Sequence, residues 1–359
     1  MNRRHFLLTT AGAAACLVPR GALANLADPA DSWRTYEVTT DIDILHPDGV
    51  TRVWAPLPLP ATTPFQRLLD SRSHAEGGRA EIRTLGSGTT VLAASWPAGV
   101  EPRVSLTHRI ATRDLTVDFK RPARTSPADR ATLAPYLRPT SLQPTDGIVG
   151  ETARTITRGA GSDLEKARAI YDWVVDNTFR DPTVQGCGLG DIRFMLESGD
   201  LGGKCADINA LYAGLARAAG LPARDVYGVR VGPSRRGFKS LGISTSDATR
   251  AQHCRAEVYL RPYGWVPVDP ADVGKVALEE PPGHLSPESE PVQRARAMLF
   301  GSWEMNWMAY NYSHNVQLPG AQHVGDLGFL LYPQCETADG LIDSLAPDQF
   351  RYRITARQV

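Results

Sequence analysis

The stretch that most restricts what this chain can become is Gly202-Gly203-Lys204-Cys205-Ala206-Asp207-Ile208-Asn209-Ala210-Leu211-Tyr212. Its two glycines permit a tight backbone turn. From Cys205 onward, Ile208, Leu211, Leu215 and Ala218 or Ala219 fall at helical spacing, and Gly220 followed by Pro222 stops the run. The spacing predicts a helix with Cys205 in its first turn. Unpaired N–H groups and the positive dipole end favour an anion at that place, and the thiolate is the reactive form of cysteine. Two readings of Cys205 therefore stand side by side. It is a reactive thiol, or it is a small buried apolar residue, as most free cysteines are.

Two later stretches bear on that choice. His253 stands near the start of an alternating run, Gln252 to Leu260, that reads as a strand, and Asp269 closes a second short strand, Trp265-Val266-Pro267-Val268. Arg261-Pro262-Tyr263-Gly264 between them is a turn. A base and a carboxylate on one hairpin, behind a cysteine on a helix tip, are the parts of a Cys–His–Asp site: nucleophile, base and orienting carboxylate. A plain four-residue turn sets Asp269 opposite Ala256, three residues from His253, so the two have to meet diagonally or through a bulge.

Gly-Lys-Cys-Ala-Asp, a His opening an alternating strand, and Trp-Val-Pro-Val-Asp together resemble the transglutaminase-like superfamily, built on a papain-like core. The resemblance runs from about Leu164 to about Lys275 and takes in Ala218-Ala219-Gly220-Leu221-Pro222-Ala223-Arg224. It implies Cys205 as nucleophile, His253 as general base and acid, and Asp269 as orienting carboxylate, with acyl transfer at amides as the chemistry. Papain-like enzymes hold the tetrahedral oxyanion with the cysteine N–H and an upstream donor. Gln185, in the glycine-punctuated segment Gln185-Gly186-Cys187-Gly188-Leu189-Gly190, is a candidate for that donor or a surface loop residue. Trp265 shares a phase with Asp269 and is either a wall of the cleft or a core residue. Asp207 is placed to complement the helix dipole or to hold a neighbouring loop. Cys254 alternates with His253 and is expected to be buried and inert.

Residues 1–24 read as an export signal. Asn2-Arg3-Arg4-His5-Phe6-Leu7-Leu8 matches a twin-arginine pattern, and Ala22-Leu23-Ala24 fits a cleavage site. This implies the bacterial periplasm, with lipid attachment through Cys16 as the alternative. No later segment supplies the roughly 18 apolar residues of a membrane helix, so no integral membrane segment is expected in the mature chain. The chain balances 39 basic against 39 acidic residues. Removing Arg3, Arg4 and Arg20 with the signal leaves 36 against 39, a net charge of about −3, which argues against a nucleic-acid partner. Of Cys187, Cys205, Cys254 and Cys335, a nucleophilic Cys205 leaves three, hence at most one disulfide, its pairing open.

The fold expected is α+β. An N-terminal β-sandwich over residues 25–125 precedes a transglutaminase-like core over 126–280, in which the cysteine helix packs on an antiparallel sheet. Residues 281–359 are expected to form a C-terminal extension packing on the core. In the sandwich, Tyr36, Val38, Thr40, Ile42 and Ile44 alternate, and Ile82–Leu85 with Thr90–Trp96 looks like a hairpin. Ser162-Asp163-Leu164-Glu165 is a capping box opening a helix behind the cysteine helix. No cofactor or metal spacing is legible. The function expected is an exported cysteine-dependent acyl-transfer enzyme on peptide or protein substrates, hydrolytic, as a peptidase or amidase. Glutamine cross-linking and a non-catalytic scaffold are the alternatives, and the oligomeric state is open.

Overall fold

The computed structural model describes residues 32–86, 88–122 and 128–359. The expected export signal, Cys16 and residues 123–127 of the connector lie outside them. No helix among the described residues is long and apolar enough to cross a membrane.

Two antiparallel sheets form the N-terminal module. The first runs in the order Phe350–Gln358, Arg34–Ile44, Arg103–Thr112, Gln66–Glu76, and the second in the order Gly340–Ile342, Gln334–Thr337, Thr51–Pro56, Thr90–Trp96, Arg79–Thr84. The alternation read at Tyr36, Val38, Thr40, Ile42 and Ile44 is the inward face of Arg34–Ile44. Ile42, Val53, Leu92, Trp96, Leu106 and Phe350 fill the space between the sheets. Residues 281–359 do more than pack against the core. Their strands pair with Arg34–Ile44 and with Thr51–Pro56, so the C-terminus completes both sheets. An edge strand carries unpaired N–H and C=O groups, and the returning chain covers two such edges. This interlock ties the N-terminal module to the chain that follows the core.

The core is built around the cysteine helix, Cys205–Ala218. Helical spacing marked one apolar face, yet the helix is buried on all sides from Cys205 to Arg217. A helix enclosed this way needs small residues so that neighbours can approach. Ala206, Ala210, Ala213 and Ala216 provide them, and at Gly214 an added Cβ would stand 2.2 Å from Ile192 Cδ1. The helix lies against a four-stranded antiparallel sheet in the order Gly264–Val268, Gln252–Leu260, Ala223–Arg230, Trp307–Asn311. Cys254, Ala256 and Val258 join the core shared with the helix. On the opposite face Val226 and Trp307 pack with Trp303 against Leu59 and Phe65 of the N-terminal module. Trp303 and Trp307 are therefore core residues.

Gly228 lies directly across from His253 in the sheet. An added Cβ there would meet Met308 O at 2.2 Å and Trp307 Cζ2 at 2.5 Å, and the Trp307 indole donates to His253 O at 3.1 Å. Gly228→Ala is expected to destabilise the fold by about 1–3 kcal/mol through overpacking. Urea unfolding followed by tryptophan fluorescence checks this.

Candidate active site

Hairpin register decides where Asp269 goes. Leu260 pairs with Gly264, so the turn has three residues, Arg261 to Tyr263, one fewer than the sequence suggested. Gly264 takes a positive φ of 76° to close it. Ala256 consequently faces Val268, and Asp269 moves one place on, to the phase of His253 and Arg255. A one-residue change of register exchanges the faces of a strand. The diagonal contact follows: His253 Nε2 lies 2.7 Å from Asp269 Oδ2, and both side chains are buried.

Asp269 is also the N-cap of the helix Pro270–Glu279, accepting from Asp272 N. That helix brings a second carboxylate to the imidazole, with Asp272 Oδ1 3.4 Å from His253 Nε2. Arg230 holds Asp272 through two contacts of 2.6 and 2.8 Å, and Arg255 Nε stands 3.5 Å from Asp269 Oδ2. Asn209, one turn beyond Cys205 on the same helix face, donates to Asp269 Oδ1 at 3.1 Å and to Cys254 O at 2.8 Å. Burial and Arg230 oppose a charge on His253, but Asp272 and Asp269 outweigh them and its pKa is raised. Burial, then Asp272, pushes Asp269 up. Asp272 itself is buried, yet Arg230 and His253 carry it below the usual carboxylate range. Both carboxylates engage Nε2, and no hydrogen bond engages Nδ1 among the described residues.

Cys205 is the first residue of its helix, as the spacing predicts, and is 4% exposed. Its N–H has no intrahelical acceptor. The thiols of Cys187, Cys205 and Cys254 lie within 4.8 Å of one another. All four described cysteines are free and buried. Cys254 is buried as expected, but it faces the other two thiols. No hydrogen bond joins Cys205 Sγ to the His253 ring among the described residues. The structure thus brings His253 and Asp269 together and sets Cys205 at the helix tip among two further thiols.

Asp207 holds the loop beside Cys205. Its Oδ1 accepts from Leu189 N and Gly190 N, each at 2.8 Å, and its Oδ2 accepts from Lys204 N at 2.9 Å. Gly188, at φ 94°, passes so close that a Cβ would overlap the carboxylate at 1.7 Å. Burial raises the Asp207 pKa in spite of these three N–H donors. Ala206 N donates to Cys187 O at 2.9 Å, and Tyr332 Oη donates to Cys187 Sγ at 3.1 Å. Hydrogen bonds from Cys205, then Cys254, hold the Cys187 thiol well below its usual pKa despite burial. Burial pushes Cys254 well above the usual value.

A cavity of about 410 Å³ opens beside this loop, lined by Gln185, Cys187, Leu189, Phe329, Tyr332 and Leu345 among others. Cys187 lines it; Cys205 does not. Gln185 is exposed on the rim. Trp265 pairs across from Tyr259, six positions along the strand from His253, about 20 Å away at 3.3 Å per residue. It packs against Arg224, Tyr136 and Tyr259, so it walls no cleft at His253. Sequence reasoning missed Asn209, Arg230, Asp272 and Tyr332. The first had a signal in its four-residue offset from Cys205, and Asp272 in its three-residue offset from a helix N-cap; the others come from distant strands and loops.

The sequence profile described as the transglutaminase-like superfamily matches residues 150–270, a span that includes Cys205, His253 and Asp269. An uncharacterized protein of Haemophilus influenzae is 33% identical over 371 residues, covering 97% of this chain and 99% of that one. The chain belongs to the transglutaminase-like superfamily. The chain is also similar in fold to a solved structure from Cytophaga hutchinsonii, provisionally assigned as a cysteine protease. That match has a TM-score of 0.51 at 17% identity and covers 91% of this chain and 98% of that chain.

The raised pKa of His253 has a consequence for pH. A group whose folded pKa exceeds its unfolded one adds stability that is fully present below the unfolded value, near 6.5, and is lost as pH rises through the folded value. The His253 imidazole is expected to titrate above about 6.5 by NMR. Asp272→Asn should lower that midpoint, because it removes an anion from beside Nε2 and leaves Arg230 unopposed.

Proposed function

We propose that this protein is an exported, cysteine-dependent acyl-transfer enzyme that hydrolyses amide or peptide bonds, with Cys205, His253 and Asp269 as its catalytic residues. The observation that carries the reading is the buried 2.7 Å contact of His253 Nε2 with Asp269, in a transglutaminase-like core whose cysteine helix begins at Cys205. Asp269 orients the ring and leaves Nδ1 for proton transfer. Cys205 Sγ attacks the carbonyl carbon, giving a tetrahedral oxyanion that the Cys205 N–H is placed to receive. His253 protonates the departing amine as the C–N bond breaks. A water molecule, losing its proton to His253, then attacks the thioester, and Cys205 leaves as thiolate.

Two further observations shape the proposal. Cys205 is nearly buried behind the loop carrying Cys187, so in this reading that loop yields when substrate enters. Its glycines at 186, 188 and 190 all hold positive φ, which makes it the natural hinge. The neighbouring cavity is lined by apolar side chains, two glutamines, Cys187 and Tyr332, with no carboxylate to draw in a cationic amine. That favours water over a lysine as acyl acceptor and an uncharged substrate side chain. Export to the periplasm by the twin-arginine route, read from residues 2–24, places the substrate outside the cytoplasm.

Incubation with a peptide mixture in H2 18O, with and without a primary amine, tests the reading by mass spectrometry. The expected outcome is 18O in new carboxyl groups and its absence with Cys205→Ala. Amine adducts in place of 18O would make the enzyme a transferase, and products unchanged in Cys205→Ala would remove the cysteine from the chemistry.

A further inference from the structure

Three thiols in one buried cluster are more than a cysteine nucleophile needs. Cys187, Cys205 and Cys254 come from a loop, a helix tip and a central strand, and their sulfurs lie within 4.8 Å of one another. Only Cys187 among them lines the open cavity. Cys254 is fully buried. Its strand is hydrogen-bonded to a neighbour on each side, and its carbonyl is held by Asn209. A bond from Cys205 to Cys254 would have to pull a fixed strand toward a fixed helix.

Cys187 is differently placed. It sits between Gly186 and Gly188, which hold φ of 58° and 94°, so its backbone can adjust. Its carbonyl already accepts from Ala206 N at 2.9 Å, which brings its main chain against the helix N-terminus next to Cys205. A disulfide needs close Cα atoms and converging side chains, and this backbone contact with neighbouring sulfurs supplies the conditions for one. The Tyr332 hydroxyl, 3.1 Å from Cys187 Sγ, is a donor to a thiolate there, while the protonated thiol donates to Gln252 O at 3.5 Å.

We propose that Cys187 and Cys205 form a reversible disulfide that closes the site under oxidation, with Cys187 as the sulfur that meets a peroxide oxidant. The Cys187 thiolate attacks one oxygen of hydrogen peroxide, the O–O bond breaks, and the products are a sulfenic acid and hydroxide. Cys205 as thiolate then attacks Cys187 Sγ, forming the S–S bond and expelling the second hydroxide. The two hydroxides take up the two thiol protons as water, so two thiols and one peroxide give one disulfide and two waters. A dithiol reverses it by two exchange steps and is itself oxidised. The bond would also pin the glycine loop over the helix tip. That it silences an enzyme rests on Cys205 being the nucleophile; the bond itself does not.

The test treats the reduced full chain with a small excess of hydrogen peroxide, blocks residual thiols with N-ethylmaleimide, and maps the digest by mass spectrometry. The expected product is a Cys187–Cys205 cross-linked peptide, reversed by dithiothreitol and still formed in Cys254→Ser. In Cys187→Ser the disulfide is absent and Cys205 stays reduced at the same peroxide dose. A Cys205–Cys254 bond, or oxidised Cys205 beside a free Cys187, would overturn the proposal. Iodoacetamide labelling of Cys205 in the reduced protein separates the two questions, since an unreactive thiol there would count against the catalytic reading and leave the disulfide result standing.

Discussion

Asp269 is the carboxylate on which the site depends. Its side chain has no exposure, and it takes His253 Nε2 on one oxygen with Asn209 Nδ2 and Asp272 N on the other, with Arg255 beside it. Those donors belong to the hairpin, the cysteine helix and the helix that follows the hairpin. One buried anion therefore fixes the mutual placement of three elements. A buried charge stripped of its partners typically costs several kcal/mol, so such an anion holds its surroundings to one arrangement. The network is balanced around it: Arg230 neutralises Asp272, and Arg255 sits over the Trp303 and Trp307 rings.

A second carboxylate does for the loop what Asp269 does for the hairpin. Asp207 spans from Lys204 N to Leu189 N and Gly190 N, closing the loop over the start of the cysteine helix. The glycines that let it approach are the residues that permit movement. The same geometry covers Cys205 and leaves Cys187 at the cavity, so access to the helix tip is a matter of loop position. The C-terminal segment takes part as well, since Phe329, Tyr332 and Leu345 line that cavity. The same C-terminal segment whose strands complete the N-terminal sheets thus also shapes the mouth of the core.

Legibility in the sequence followed the range of the interactions. The cysteine helix, the hairpin and the inward face of Arg34–Ile44 are local patterns, and spacing and alternation marked them. The strand Gln66–Glu76 escaped notice because it lies at a sheet edge and exposes most of its polar side chains, so alternation had little to mark. The turn at 261–263 was misjudged by one residue, because Gly264 fits a turn and a strand start equally well in sequence, and only pairing with Leu260 decides. The thiol cluster and the Arg230–Asp272 pair were invisible for a different reason: their members are far apart in the chain and are joined only by tertiary packing. Trp265 shared a phase with Asp269 but not a position along the strand, and phase alone carries no distance.

The central claim is that His253 acts on the sulfur of Cys205. Its most direct measurement is the rate of iodoacetamide labelling at Cys205 near neutral pH, read by mass spectrometry, in the reduced protein and in His253→Gln. With folding verified by circular dichroism, the account predicts a fall of about 100-fold on loss of the base, the scale of a general-base contribution. Equal rates in the two proteins would contradict it.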